Sequence, residues 1–185
     1  MFVGIFFGMA NEKIFEGMKI YYSGSIRGVP NPDPEFAWKL VQFMIAKGAD
    51  VLSEHVAARN HEEMDEIFAR RSGVDRRKLA EPWYEARRID FGWVNEATHV
   101  VAVVNGPSHG VGMEIQRAID KPRMGMNLTP VLCLVHEELF DKVTWMIRGV
   151  STIESSVFRL SVYLALQDAQ NKIEEFLLEN KQTSF

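Results

Sequence analysis

"THVVAVVNGPSHGVGMEIQRAI", residues 98 to 119, decides the class of fold. Its apolar first half reads as a buried strand, Gly106, Gly110 and Gly112 let the backbone turn, and "MEIQRAI" has helical spacing. A strand running through a glycine-rich loop into a helix opens a parallel α/β unit, and such loops commonly hold an anion on the helix N-terminus. Yet Glu114 stands two residues past Gly112, in the first turn of the expected helix, where that anion would sit. Two anions in one place repel. The loop therefore predicts that Glu114 and any phosphate occupy separate positions.

Working outward, four more apolar runs read as strands: "KIYYSG" (19 to 24), "ADVLSE" (49 to 54), "TPVLCLV" (129 to 135) and "VFRLSVY" (157 to 163). Helical spacing fills the intervals. One helix is expected from Pro34 to Gly48 with Asp33 as its N-cap, one over 81 to 95, one near 136 to 148 and a last one ending near Asn180. This alternation is that of an α/β chain with a mainly parallel five-stranded sheet and helices on both faces. The charged region 59 to 82 reads as a solvated helical face and loop, with no role for Arg71, Arg76, Arg77 or Lys78.

The chain has 185 residues, 46% hydrophobic and 25% charged, with a formal net charge of −4. That is the balance of a single domain, taken as residues 19 to 185 behind an 18-residue extension. No basic excess points to nucleic acid, so a small ligand is expected. The lone Cys133, inside an apolar run, suits a reducing compartment and a cytoplasmic setting, with a nuclear one left open. The apolar start "MFVGIFFGMA" lacks the basic n-region of a secretory signal and is too short to span a bilayer, so no membrane partner is expected.

In open parallel sheets the ligand crevice lies beyond the carboxyl ends of the strands, which directs attention to the loops after the first and third. The first reads "SGSIRGV": Gly24 and Gly28 allow a tight turn, Ser25 offers a hydroxyl and Arg27 a planar fork for phosphate or carboxylate. No GKS or GKT follows, and "GVGMEI" lacks a third glycine, which excludes a Walker loop and a dinucleotide fingerprint. In the second loop Ser108 precedes Gly110 and could face a ligand. Glu114 either complements the helix dipole or serves as an ionised nucleophile or base, kept charged by the amides around it.

A third candidate comes from periodicity. Over 81 to 97, Trp83, Ala86, Asp90, Trp93, Val94 and Ala97 share one helical face, and Asp90 is its only ionisable member. Among indoles a carboxyl is desolvated and can keep its proton near neutral pH; at the stripe edge it would instead reach water or Arg87. One charged and one protonated carboxyl are the pair that breaks a glycosidic bond.

Together "IYYSGSIRGV", "LSEHVA", the helix with Asp90 and Trp93, "HVVAVVNGPSHGVGMEIQRAI" and "MIRG" resemble the 2'-deoxynucleoside 5'-phosphate N-hydrolases, relatives of the nucleoside 2-deoxyribosyltransferases, from about Lys19 to Gly149. Much of 59 to 80 lies outside the likeness. The resemblance implies a Rossmann/flavodoxin-like fold and cleavage of deoxynucleoside monophosphates to free base and 2-deoxyribose 5-phosphate, without metal or cofactor. It implies Glu114 as nucleophile, Asp90 as proton donor to the base and Tyr21 beside the sugar. Gly24, Ser25, Ile26, Arg27, Gly28, Ser108 and Gly110 fall around the phosphate, and His55 on the base side. Thr144 and Met146 match a segment that closes the neighbouring subunit's site, which implies a homodimer. Thr144 stands where the family has a serine, His109 replaces an apolar residue, and Asn105 with Gly106 alter the turn before it.

Two rival functions remain at this point. A deoxyribosyltransferase would use a second base in place of water, and a noncatalytic nucleotide sensor would bind without cleaving.

Overall fold

The computed structural model describes residues 13–25 and 33–181. Its centre is a five-stranded, wholly parallel sheet in the order β2-β1-β3-β4-β5. The strands are β1 (Lys19–Gly24), β2 (Asp50–Val51), β3 (His99–Val103), β4 (Val131–His136) and β5 (Phe158–Tyr163). Parallel strands need crossovers, which are supplied by α1 (Phe36–Ala46), α2 (His61–Ser72) with α3 (Pro82–Glu96), α4 (His109–Asp120) and α5 (Trp145–Arg148), while α6 (Leu166–Glu179) follows the last strand.

The central strands are apolar on both faces because both are covered. Ile20, Tyr22, Val101, Leu132 and Leu134 pack with α1 and α6 through Leu40, Met44, Ile173 and Phe176. Tyr21, Val100, Ala102 and Cys133 face the other layer, where Trp93, Val94, Val111 and Ile115 of α3 and α4 meet them. Phe15 and Met18, assigned from the sequence to the extension, are buried in the α1 layer. Burial pushes the Cys133 thiol up to about 12, so it packs as a small hydrophobe.

Three elements depart from expectation, each for a local reason. Asp33 does not cap α1. Its carboxylate accepts from Glu35 N at 3.0 Å, closing a turn, and the helix starts at Phe36. β2 has two residues rather than six because Ser53 gives its hydroxyl to the Tyr22 carbonyl at 2.6 Å and the chain then turns into a 3₁₀ stretch, Glu54–Ala57. The helix expected near 136 to 148 is divided into a 3₁₀ stretch, Glu137–Lys142, and α5; extended backbone at Val143 breaks it and the Thr144 hydroxyl caps the restart at Met146 N. Among the described residues no helix is long and apolar enough to cross a membrane.

Candidate active site

With β1 at the point where the strand order reverses, the crevice opens between the carboxyl ends of β1 and β3, where Gly24 pairs with Val103. A cleft of about 660 Å³ lies there. It gathers Gly24, Ser25, His55, Asp90, Ser108, Gly110 and Glu114, contributed by both loops, the 3₁₀ stretch after β2, α3 and α4. A Cβ at Gly24 would press on the Tyr22 ring at 3.3 Å, so a larger residue there would require that ring to shift. Ile26, Arg27 and Gly28 lie outside the described residues.

α4 begins at His109, capped by Ser108, whose Oγ accepts from Val111 N at 3.4 Å. Serving as an acceptor there leaves the Ser108 proton free to donate into the cleft. Glu114 consequently sits in the second turn of α4, not the first, and the first turn carries no acid. The expectation that helix-end amides hold it charged is corrected. Burial raises its pKa, and what opposes burial is the Ser23 hydroxyl, donating to Oε2 at 2.5 Å, with Tyr21 second. The Tyr21 hydroxyl is itself buried without a regular hydrogen-bond partner, and burial beside Glu114 and Asp90 pushes it well above the usual phenol range. Its interaction is with the Glu114 carboxyl from within the buried layer.

Asp90 projects from α3 and behaves as its stripe suggests. Trp93 is buried in the layer below, beside His55 and Phe68, whereas Trp83 is 58% exposed and belongs to the cleft mouth. Burial first, and Glu114 second, raise the Asp90 pKa to about 7. Its Oδ1 is buried with no hydrogen-bond partner. Arg87, the alternative partner, stacks on Phe91 at 4.1 Å instead. His55 Nε2 lies 3.7 Å from Asp90 Oδ1, beyond hydrogen-bond reach, and burial lowers the His55 pKa to about 3, so the imidazole is neutral.

Thr144 and Met146 are not in this cleft. They line an adjoining apolar cavity of about 570 Å³ that shares Pro107, Ser108 and His109 with it, and Met146 and Trp145 are more than four-fifths exposed.

Three residues stand at the site in ways the sequence alone does not assign: Ser23 receives no role there, Asn105 only alters the turn, and Arg76 receives none. Ser23 is two residues after Tyr21, and strand alternation alone puts both on the Glu114 face. Asn105 donates to the Tyr163 hydroxyl and accepts from His136 N at 2.8 Å, tying the loop after β3 to β4 and β5. Arg76 lines the cleft, whereas Arg71 and Arg77 pair with Asp50 and Asp75 away from it. One cation of a charged run faces inward, which composition does not reveal.

No family model matches the chain. It is 34% identical over 142 residues to the 5-hydroxymethyl-dUMP N-hydrolase of Tetraodon nigroviridis, spanning 77% of this chain and 87% of that protein. It is 33% identical over 157 residues, 85% of this chain and 91% of the other, to a Trichoplax adhaerens protein with the provisional name 2'-deoxynucleoside 5'-phosphate N-hydrolase 1. Among solved structures a CMP N-glycosidase of Clostridium botulinum has the same fold, with a TM-score of 0.52, 16% identity and coverage of 86% of this chain and 99% of that one.

Proposed function

The chain belongs to the 2'-deoxynucleoside 5'-phosphate N-hydrolases, and on that footing we propose that it cleaves the N-glycosidic bond of 2'-deoxynucleoside 5'-monophosphates with Glu114 as nucleophile and Asp90 as acid. The observation that carries this reading is the unequal treatment of two carboxyls in one cleft. Glu114 receives the Ser23 hydroxyl, while Asp90 Oδ1 receives nothing. A single negative charge shared between them settles on Glu114, and the proton on Asp90.

The phosphate lies at the ends of β1 and β3, on Ser25, the Ser108 hydroxyl and the loop carrying Arg27. The sugar then lies over Glu114 and Tyr21, and the base reaches Asp90 and His55. Gly110 has no side chain within the space above Glu114: a Cβ there would stand 3.8 Å from Oε1. Glu114 attacks C1', the C1'–N bond breaks toward the base, and Asp90 supplies the proton that releases it. Water, deprotonated by Asp90, then opens the glycosyl ester and frees 2-deoxyribose 5-phosphate. The exposed α5 and the apolar cavity beside it support a homodimer in which Thr144 and Met146 reach the partner's cleft.

Two inversions at C1' retain configuration, so methanolysis of the substrate should give one anomer, the retained one. An inverted product would remove the covalent role of Glu114. Adding free base distinguishes hydrolysis from transfer: base exchange outpacing sugar phosphate release would make the protein a transferase. Nucleotide binding without any base release would make it a sensor.

A further inference from the structure

We infer that Arg76 reads the leaving base, selecting bases that present an exocyclic carbonyl oxygen over those that present an amino group. The inference deepens the hydrolase reading and rests on it. Arg76 opens the short 3₁₀ turn Arg76–Lys78 between α2 and α3. Its Nε donates to Asp65 at 2.6 Å and its guanidinium lies over the Phe68 ring at 4.9 Å, so two contacts fix the plane of the fork. The side chain is 18% exposed, yet its terminal nitrogens make no hydrogen bond to any described residue. Arg76 belongs to the wall of the cleft that holds Asp90 and Glu114.

Position decides which part of a nucleotide it meets. The loops after β1 and β3 hold the phosphate end, Glu114 the sugar, and Asp90 the base nitrogen. Arg76 is on the Asp90 side: its charge opposes the rise in the Asp90 pKa and helps depress that of His55. A guanidinium donates and never accepts, so it pairs with a carbonyl oxygen and turns N–H against N–H when an amino group stands there.

The same contact serves the chemistry. When the C1'–N bond breaks, its electron pair passes to the base and, in an oxo base, spreads onto the carbonyl oxygen. The Asp90 proton then neutralises the base while the sugar is carried on Glu114. A donor fixed at that oxygen strengthens as charge arrives and needs no reorganisation, the condition under which a hydrogen bond accelerates a step.

The test compares kcat/KM on two pairs of monophosphates, dIMP with dAMP and dUMP with dCMP, each pair contrasting an oxo with an amino group at the equivalent ring position. Wild-type protein should favour the oxo member of each pair by about tenfold or more, the value of one hydrogen bond to a charged group. Arg76→Met, which keeps the stem on Phe68, should lose about ten- to a hundredfold on the oxo substrates. It should stay within about threefold on the amino ones, since they lack the acceptor. Arg76→Lys keeps the charge without the fork and should fall between. Equal losses on all four would mean that Arg76 holds the phosphate or the fold, and would overturn the assignment. So would a wild-type protein indifferent within both pairs, a result that needs no variant to fold. Base release from none of the four by wild-type protein would instead sink the hydrolase reading itself.

Discussion

The α4 wall and the α3 wall of the cleft each present one carboxyl to the same space. Both are largely buried and both have raised pKa values, with desolvation the first cause in each case. Burial alone would make them alike. The α4 wall faces β1, whose inward hydroxyl reaches Glu114; the α3 wall faces aromatic rings and a neutral imidazole, and no donor reaches Asp90 Oδ1. The lesson is that the neighbours on the opposite wall, rather than depth, allot the two roles. On the proposed mechanism, one serine would make a nucleophile and a proton donor of two equally deep acids.

That comparison can be broken from its strongest end. Glu114→Gln keeps the shape and removes the nucleophile, and base release should drop by about 10⁴-fold or more while nucleotide binding, read by calorimetry, persists. Binding lost in parallel with turnover would mean that Glu114 is a ligand contact only.

Asp90→Asn removes the proton donor and should reduce kcat by about a hundred- to ten-thousandfold. In wild-type protein the rate should fall as pH rises through about 7, where Asp90 loses its proton; the variant should lack that limb. Stability moves with pH in the same direction, so the substitution that costs activity gains stability. Between an unfolded value near ~4 and the folded value of about 7, the native state keeps a proton that the unfolded chain sheds, so this group's contribution to stability declines across that window as pH rises. Asp90→Asn should therefore be the more stable protein above pH 7, by on the order of a few kcal/mol in denaturant melts. Identical pH dependence of unfolding in the two proteins would show Asp90 to be charged throughout.

Ser23→Ala tests the asymmetry most directly. Without its hydroxyl the Glu114 pKa rises further, so the acidic limb of the rate profile should move to higher pH, with about a tenfold loss at neutrality. An unmoved limb would assign the tuning to Tyr21. Smallest of all, Gly110→Ala meets no clash, its Cβ being 3.8 Å from Oε1 and 3.9 Å from Ser108 Oγ. It should leave the melting temperature within a degree or two, as expected for a change near ~0.5 kcal/mol. Because it intrudes on the sugar, KM should rise about threefold to tenfold.

Much of this was readable in advance, and the exceptions share a cause. Strands β1, β3 and β4 are long apolar runs bounded by glycine or proline, and periodicity alone identifies them. Asp90 was legible because it interrupts an apolar helical stripe. β2 was overestimated because the side chain of Ser53 takes over a backbone partner, an exchange that leaves no periodic trace. Glu114 was placed one turn too early because glycines 110 and 112 read as loop, although Ser108 already caps the helix. Arg76 was hidden inside a charged run: it pairs with Asp65 much as Arg71 and Arg77 pair with Asp50 and Asp75, and only its place in the cleft wall separates it from them.

The alternation of β1 carries a further consequence. Tyr21 and Ser23 belong to the Glu114 layer, and Ile20 and Tyr22 to the opposite one. Inserting or deleting one residue before Tyr21 would turn the whole strand over, setting Tyr22 and Gly24 beneath the carboxylate and driving a hydroxyl into the α1 core. On the proposed mechanism the setting of Glu114 is thus indexed to the sheet by a single pleat, and no change in count in this strand would preserve it.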